Sequence, residues 1–90
     1  MTNFSEAVTA LPDKTLLLLD DDAPLRNRLG RALEQRGFDV ELAENVAEAH
    51  RLLKARPPAY AVCDMRLGDG AGLEVVEAIR NVRPDSRIIM

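Results

Sequence analysis

At 90 residues, with 15 acidic and 12 basic residues and a net charge of -3, the chain is at most one small domain and carries no basic footprint for nucleic acid or an anionic membrane surface. A single cysteine, Cys63, excludes an intrachain disulfide, and the longest unbroken aliphatic run, Leu16 to Leu19, is far short of the roughly 20 residues of a spanning helix. The opening MTNFSEAVTALPDK lacks the charged start and long apolar run of a signal peptide, so a cytoplasmic chain with a short, mobile N-terminal tail over residues 1–14 is expected.

From Thr15 onward, apolar runs of strand length alternate with segments of helical period. TLLLL (Thr15 to Leu19) is continuous rather than alternating, the pattern of a parallel strand covered on both faces. A helix follows: Asp22 can cap it, Pro24 suits its first turn, Leu25, Leu29, Ala32 and Leu33 share one face, and Gly37 stops it. FDVELA predicts a second strand. Asn45 with Glu48 three residues on resembles a capping box, opening a helix that turns Ala49, Leu52 and Leu53 inward until Pro57 and Pro58 end it. YAVC (Tyr60 to Cys63) is the third strand and RLGDGAG a loop. Leu73, Val76 and Ile79 share a side of a third helix, and RIIM (Arg87 to Met90) opens a fourth strand.

This alternation predicts an α/β fold, a doubly wound parallel sheet with helices on both faces joined by right-handed crossovers. Ligands of such sheets sit beyond the carboxyl ends of the strands, where the strand order reverses. Asp20, Asp21 and Asp22 follow the first strand and Asp64 follows the third, so both sets project from one edge of the sheet. Adjacent carboxylates repel one another, and a cation is what would hold them together.

The residues that carry this pattern resemble a known family. LLLLDDDAPLR places an acidic pair after strand one with Arg26 following, and AVCDMRLGDGAGLEVV places an Asp after strand three, with Leu67, Gly72 and Glu74 at fixed spacings. Both are similar to the receiver domains of bacterial two-component response regulators, which have the flavodoxin-like fold. Gly68 stands where that family usually has proline. RPPAYAV, DMRLGDGAGLEVVEAIR and RPDSRII resemble more narrowly the redox-responsive global regulators that couple a receiver to a Fis-like helix-turn-helix.

The resemblance implies that Asp64 is a phosphoacceptor, taking a phosphoryl group from a phosphohistidine on a sensor histidine kinase to control a transcriptional output. It implies Mg²⁺ as cofactor, bound directly by Asp21 and Asp64, through a water by Asp20, and by the backbone carbonyl of Arg66. No catalytic residue beyond Asp64 is implied, and the chain is not expected to be an enzyme. DNA contact would fall to a module outside this chain. Asp22 reads as a helix cap, Cys63 as a small buried hydrophobe, and His50 as a surface residue. Arg26, Arg28 and Arg31 read as a solvated face, although by the resemblance that helix helps dock the kinase. The glycines of the RLGDGAG loop lack the lysine and serine of a phosphate-binding P-loop.

Two rival readings come from other classes. An enzyme of the haloacid-dehalogenase type would use Asp20 as nucleophile and Asp22 as acid/base, but Pro24 stands where that motif prefers Thr or Val. A receiver fragment incompetent for phosphorylation would act as an interaction module. Against the family's usual length, residues 15–90 are expected to form a partial receiver domain, without its fifth strand and last two helices. That would leave strand four as a bare edge, open to homodimerisation by edge pairing.

Overall fold

The structure is a computed structural model that describes residues 11–64 and 71–90. Its elements are β1 (Thr15–Leu19), α1 (Ala23–Gln35), β2 (Asp39–Ala43), α2 (Val46–Ala55), β3 (Tyr60–Cys63), α3 (Ala71–Val82) and β4 (Arg87–Ile89). The four strands form one parallel sheet in the order β2-β1-β3-β4. Order reverses at β1, which lies between β2 and β3, so the switch point falls where the acidic run leaves the sheet. The expected flavodoxin-like architecture is the one observed.

Leu17 and Leu19 of β1 and Ala61 and Cys63 of β3 point to one face, beneath Ala49 and Leu53 of α2 and Val75, Val76 and Ile79 of α3. All nine are almost wholly buried. Each of the larger aliphatic side chains there contributes about 1.5–3 kcal/mol relative to exposure. The other face carries Leu16 and Leu18 and is covered by α1, which packs on β1 and β2. Burial on both faces explains why β1 is an unbroken leucine run.

Local signals set the helix ends. The Asp22 carboxylate accepts the Leu25 N–H at 3.1 Å, and Pro24 stands in the first turn, where its missing N–H has no intrahelical partner to lose. At the other end Gly37 takes φ 105°, its N–H donates to the Glu34 carbonyl, and the Phe38 N–H reaches the Leu33 carbonyl. This is a Schellman closure, and its left-handed residue is best filled by glycine. Asn45 caps α2 by accepting the Glu48 N–H at 2.8 Å.

Two expected helix faces are rotated. Ala32 is exposed, and α1 instead turns Arg26, Leu29, Gly30 and Leu33 toward the sheet. Gly30 allows this close approach, because a Cβ there would lie 2.8 Å from Leu42 Cδ2 of β2. In α3, Leu73 is half exposed while Gly72, Val75, Val76 and Ile79 form the buried stripe. Both buried stripes follow the i, i+3, i+4, i+7 spacing and keep two of the expected residues each, Leu29 with Leu33 and Val76 with Ile79, while the others change.

The segment before β1 is tied to the fold from residue 13. Asp13 accepts from the Thr15 N–H and hydroxyl at 2.9 and 2.8 Å and pairs with Arg83 at 2.8 Å. The Lys14 carbonyl accepts the Asp39 N–H, extending the β1–β2 ladder by one bond.

Candidate functional site

β1 and β3 are neighbours in register, with Leu19 beside Cys63, so the residues that follow them emerge side by side at the carboxyl edge. The Asp64 N–H donates to the Leu19 carbonyl at 2.9 Å, and the Asp20 N–H donates to the Ala43 carbonyl at 3.1 Å. The sheet's own hydrogen bonds therefore carry one step past the strands and fix where both aspartates begin.

Asp20, Asp21 and Asp64 converge: each offers a carboxylate oxygen, and these oxygens lie within 4.8 Å of one another. Asp20 is buried, Asp64 half-buried and Asp21 exposed, so the cluster forms a shallow site open on one side. Asp20 Oδ1 accepts the Asp22 N–H at 2.9 Å, which orients its carboxylate. Asp22 is not among the converging carboxylates. Its oxygen is engaged as the α1 cap, as the sequence predicts.

An all-oxygen, anionic donor set suits a hard divalent cation. Ligands opposite one another across an ion with metal–oxygen distances of about 2.0–2.1 Å stand about 4.2 Å apart, and those around Ca²⁺ about 5 Å apart. Neighbouring ligands of an octahedral ion of the smaller size stand only about 2.9 Å apart, so oxygens within 4.8 Å of one another surround a space for one cation and close in on it when it binds. Arg66, expected to add a carbonyl, lies outside the described residues, as do Leu67, Gly68 and Gly70.

Sequence reasoning missed the role of Arg26. Rather than facing solvent with the exposed Arg28 and Arg31, it is half-buried and donates from Nη1 to the Asp20 carbonyl at 2.8 Å. A six-residue return from the first turn of a helix to the acidic run is the available signal, but an arginine on an amphipathic helix reads by default as solvated. His50, expected at the surface, is half-buried, with Nε2 3.3 Å from Glu74 Oε1 in α3. Cys63 is buried, and desolvation pushes its thiol up to about 11, so it serves as core beside the site.

Residues 16–90 match the model of the response regulator receiver domain. The chain belongs to the receiver domain family. It is 53% identical over 90 residues to the acid tolerance regulatory protein ActR of Sinorhizobium medicae (strain WSM419), covering all of this chain and 46% of ActR. It is 56% identical over 78 residues to the photosynthetic apparatus regulatory protein RegA of Cereibacter sphaeroides, covering 87% of this chain and 42% of RegA. The receiver chain thus spans less than half the length of these curated relatives.

Among solved structures, it is similar to a response regulator from Burkholderia pseudomallei with a phosphorylated aspartic acid, a calcium ion and citrate. That match has a TM-score of 0.77 at 36% identity, covering 84% of this chain and 45% of the other. It also matches the structure of histidine kinase ThkA in complex with response regulator TrrA, with a TM-score of 0.71 at 29% identity over 83% of this chain and 65% of the matched chain. As a receiver domain, the chain is a phosphoacceptor module of two-component signalling rather than an enzyme. Among the described residues no helix is long and apolar enough to cross a membrane.

Proposed function

We propose that Asp64 is the phosphoacceptor and that Asp20, Asp21 and Asp64 hold Mg²⁺, with the Arg66 carbonyl as a further ligand. The observation that carries this is the convergence of three carboxylates within 4.8 Å at the ends of adjacent strands. An Asp64 oxygen attacks the phosphorus of a phosphohistidine; the P–N bond breaks, the imidazole nitrogen leaves with its electron pair and takes up a proton, and an aspartyl phosphate forms. Bound Mg²⁺ supplies charge neutralisation at the phosphoryl oxygens. The chain's own part is positional: β3 and the Leu19 carbonyl fix the nucleophile, while buried Asp20 and exposed Asp21 hold negative charge beside it.

The phosphoryl donor is a sensor histidine kinase, a reading supported by the similarity to a chain from the complex of histidine kinase ThkA with response regulator TrrA. Residues 15–90 form the receiver part of a longer cytoplasmic regulator, residues 1–14 being the lead-in, with the fifth strand, last two helices and a Fis-type helix-turn-helix outside them. Identity above 50% to ActR, an acid tolerance regulatory protein, and RegA, a photosynthetic apparatus regulatory protein, supports placing that regulator beside them, and the motif resemblance extends this to the redox-responsive, transcription-controlling branch. Among the described strands β4 is outermost, with Ile89 68% exposed, and a second copy could pair there where no fifth strand covers it.

The test is labelling with acetyl phosphate, read by intact mass. A gain of one phosphoryl group that requires Mg²⁺ and vanishes in Asp64→Asn supports the assignment; a gain that survives Asp64→Asn overturns it.

A further inference from the structure

Asp20 is held at three points. Its N–H donates to the Ala43 carbonyl at 3.1 Å, its Oδ1 accepts the Asp22 N–H at 2.9 Å, and its carbonyl accepts from Arg26 Nη1 at 2.8 Å. The last two bonds bear on the residue between them. The Asp20–Asp21 peptide plane is clamped through its oxygen by Arg26, and the Asp21–Asp22 plane through its N–H by Asp20. The torsions of Asp21 are the angles between those two planes and its Cα, so two pinned planes fix the direction of its Cβ. Asp21 is the exposed member of the cluster and has least packing of its own to hold it.

We propose that Arg26 is a positioning residue for the metal cluster, orienting Asp21 through the Asp20 carbonyl; this rests on the metal-binding reading above. The neighbouring α1 cap supports the same geometry. The Asp22 carbonyl accepts the Arg26 N–H at 2.8 Å, so the backbone from which the clamp springs is itself fixed to the acidic run. A tether and a mere positive charge have opposite consequences. Removing a nearby cation from three carboxylates favours a divalent ion, whereas releasing the peptide plane disfavours it because Asp21 must be reordered on binding.

The experiment is Mg²⁺ titration calorimetry on the chain and on Arg26→Met, Arg26→Lys and Arg28→Met. Arg28 is exposed on the same helix and carries the same charge, so it separates charge from tether. Arg26→Met is expected to weaken Mg²⁺ binding about tenfold, the size of one lost hydrogen bond from a charged donor. Arg26→Lys, which keeps a donor, recovers most of that loss, and Arg28→Met leaves affinity unchanged or slightly tighter. Equal or tighter binding by Arg26→Met, or the same loss in Arg28→Met, overturns the inference while leaving the metal site intact. No binding by the unaltered chain overturns both. The guanidinium proton resonances of Arg26 give a readout without substitution: a resolved, slowly exchanging Nη–H supports the clamp, and a freely exchanging group contradicts it.

Discussion

Substituting Asp22 separates capping from coordination within the run of three aspartates. In Asp22→Ala the Leu25 N–H loses its 3.1 Å acceptor and the helix loses a negative charge at its N-terminus. The lost cap costs about 1 kcal/mol and the lost dipole interaction about 0.3–1 kcal/mol. Relief of repulsion among neighbouring carboxylates offsets part of this, leaving a net loss of about 1 kcal/mol. For a domain of this size that lowers Tm by about 4–8 °C. The Asp20–Asp21–Asp64 cluster is untouched, so saturating Mg²⁺ should stabilise Asp22→Ala as much as the unaltered chain, by about 2.7 kcal/mol at a hundredfold excess over Kd. Asp21→Asn should show the converse, losing most of the Mg²⁺-dependent stabilisation. Urea titrations with and without Mg²⁺ measure both terms, and Asp22→Ser, which keeps a cap, should recover the apo stability. If Asp22→Ala lost the Mg²⁺ increment while keeping its apo stability, the assignment of Asp22 as a cap alone would be wrong.

Thr15→Val removes both the hydroxyl donor to Asp13 and the acceptor of the Ala59 N–H, and should lower stability at pH 7 by about 1–3 kcal/mol in urea denaturation. Asp13 is held at about 2 by the Thr15 backbone N–H, the Thr15 hydroxyl and Arg83, below its ordinary value near 3.9. Its contribution is therefore full above about pH 4 and lost as pH falls through about 2, so the stability deficit of Asp13→Asn should shrink across that window; a constant deficit would show that the carboxylate charge is not involved. Cys63, buried and with its thiol raised to about 11, should resist iodoacetamide at neutral pH and react on unfolding; rapid alkylation of the folded chain would contradict its place in the core. Gly30→Val places a branched side chain where even a Cβ meets Leu42 at 2.8 Å, and should destabilise by about 1–3 kcal/mol in the same urea assay. A neutral result there would mean that the Leu42 methyl gives way to the added side chain and that the close approach at Gly30 does not constrain α1.

Elements specified by adjacent residues were legible in the sequence. β1 and β3 fall where continuous apolar runs place them, and the Asp22, Asn45 and Gly37 boundaries rest on short-range hydrogen bonds. The carboxylate convergence was legible because a parallel sheet dictates which ends face the same way, and the spacing of Asp20 and Asp64 then suffices. Helix rotation was not legible to the residue. Leu25 and Ala32 complete an apolar stripe with Leu29 and Leu33 in the sequence, whereas the observed face uses Gly30 and the half-buried Arg26, and neither a glycine nor a charged residue gives an apolar signal. The Arg26 clamp was hidden because a charged side chain on a helix says nothing about a carbonyl six residues back. The Asp13–Arg83 pair joins positions 70 residues apart and depends on the fold being assembled.

Whether the phosphoryl group resides on Asp64 is tested most directly by chemical trapping of the acyl phosphate. The chain is labelled with acetyl phosphate and Mg²⁺, reduced with borohydride, digested and sequenced by mass spectrometry. Borohydride converts an aspartyl phosphate, but not a free carboxylate, to homoserine. Homoserine is expected at position 64 alone, and is absent when Mg²⁺ is withheld. Reduction at position 20 or 21, or a phosphoryl label that borohydride leaves in place, would contradict this assignment.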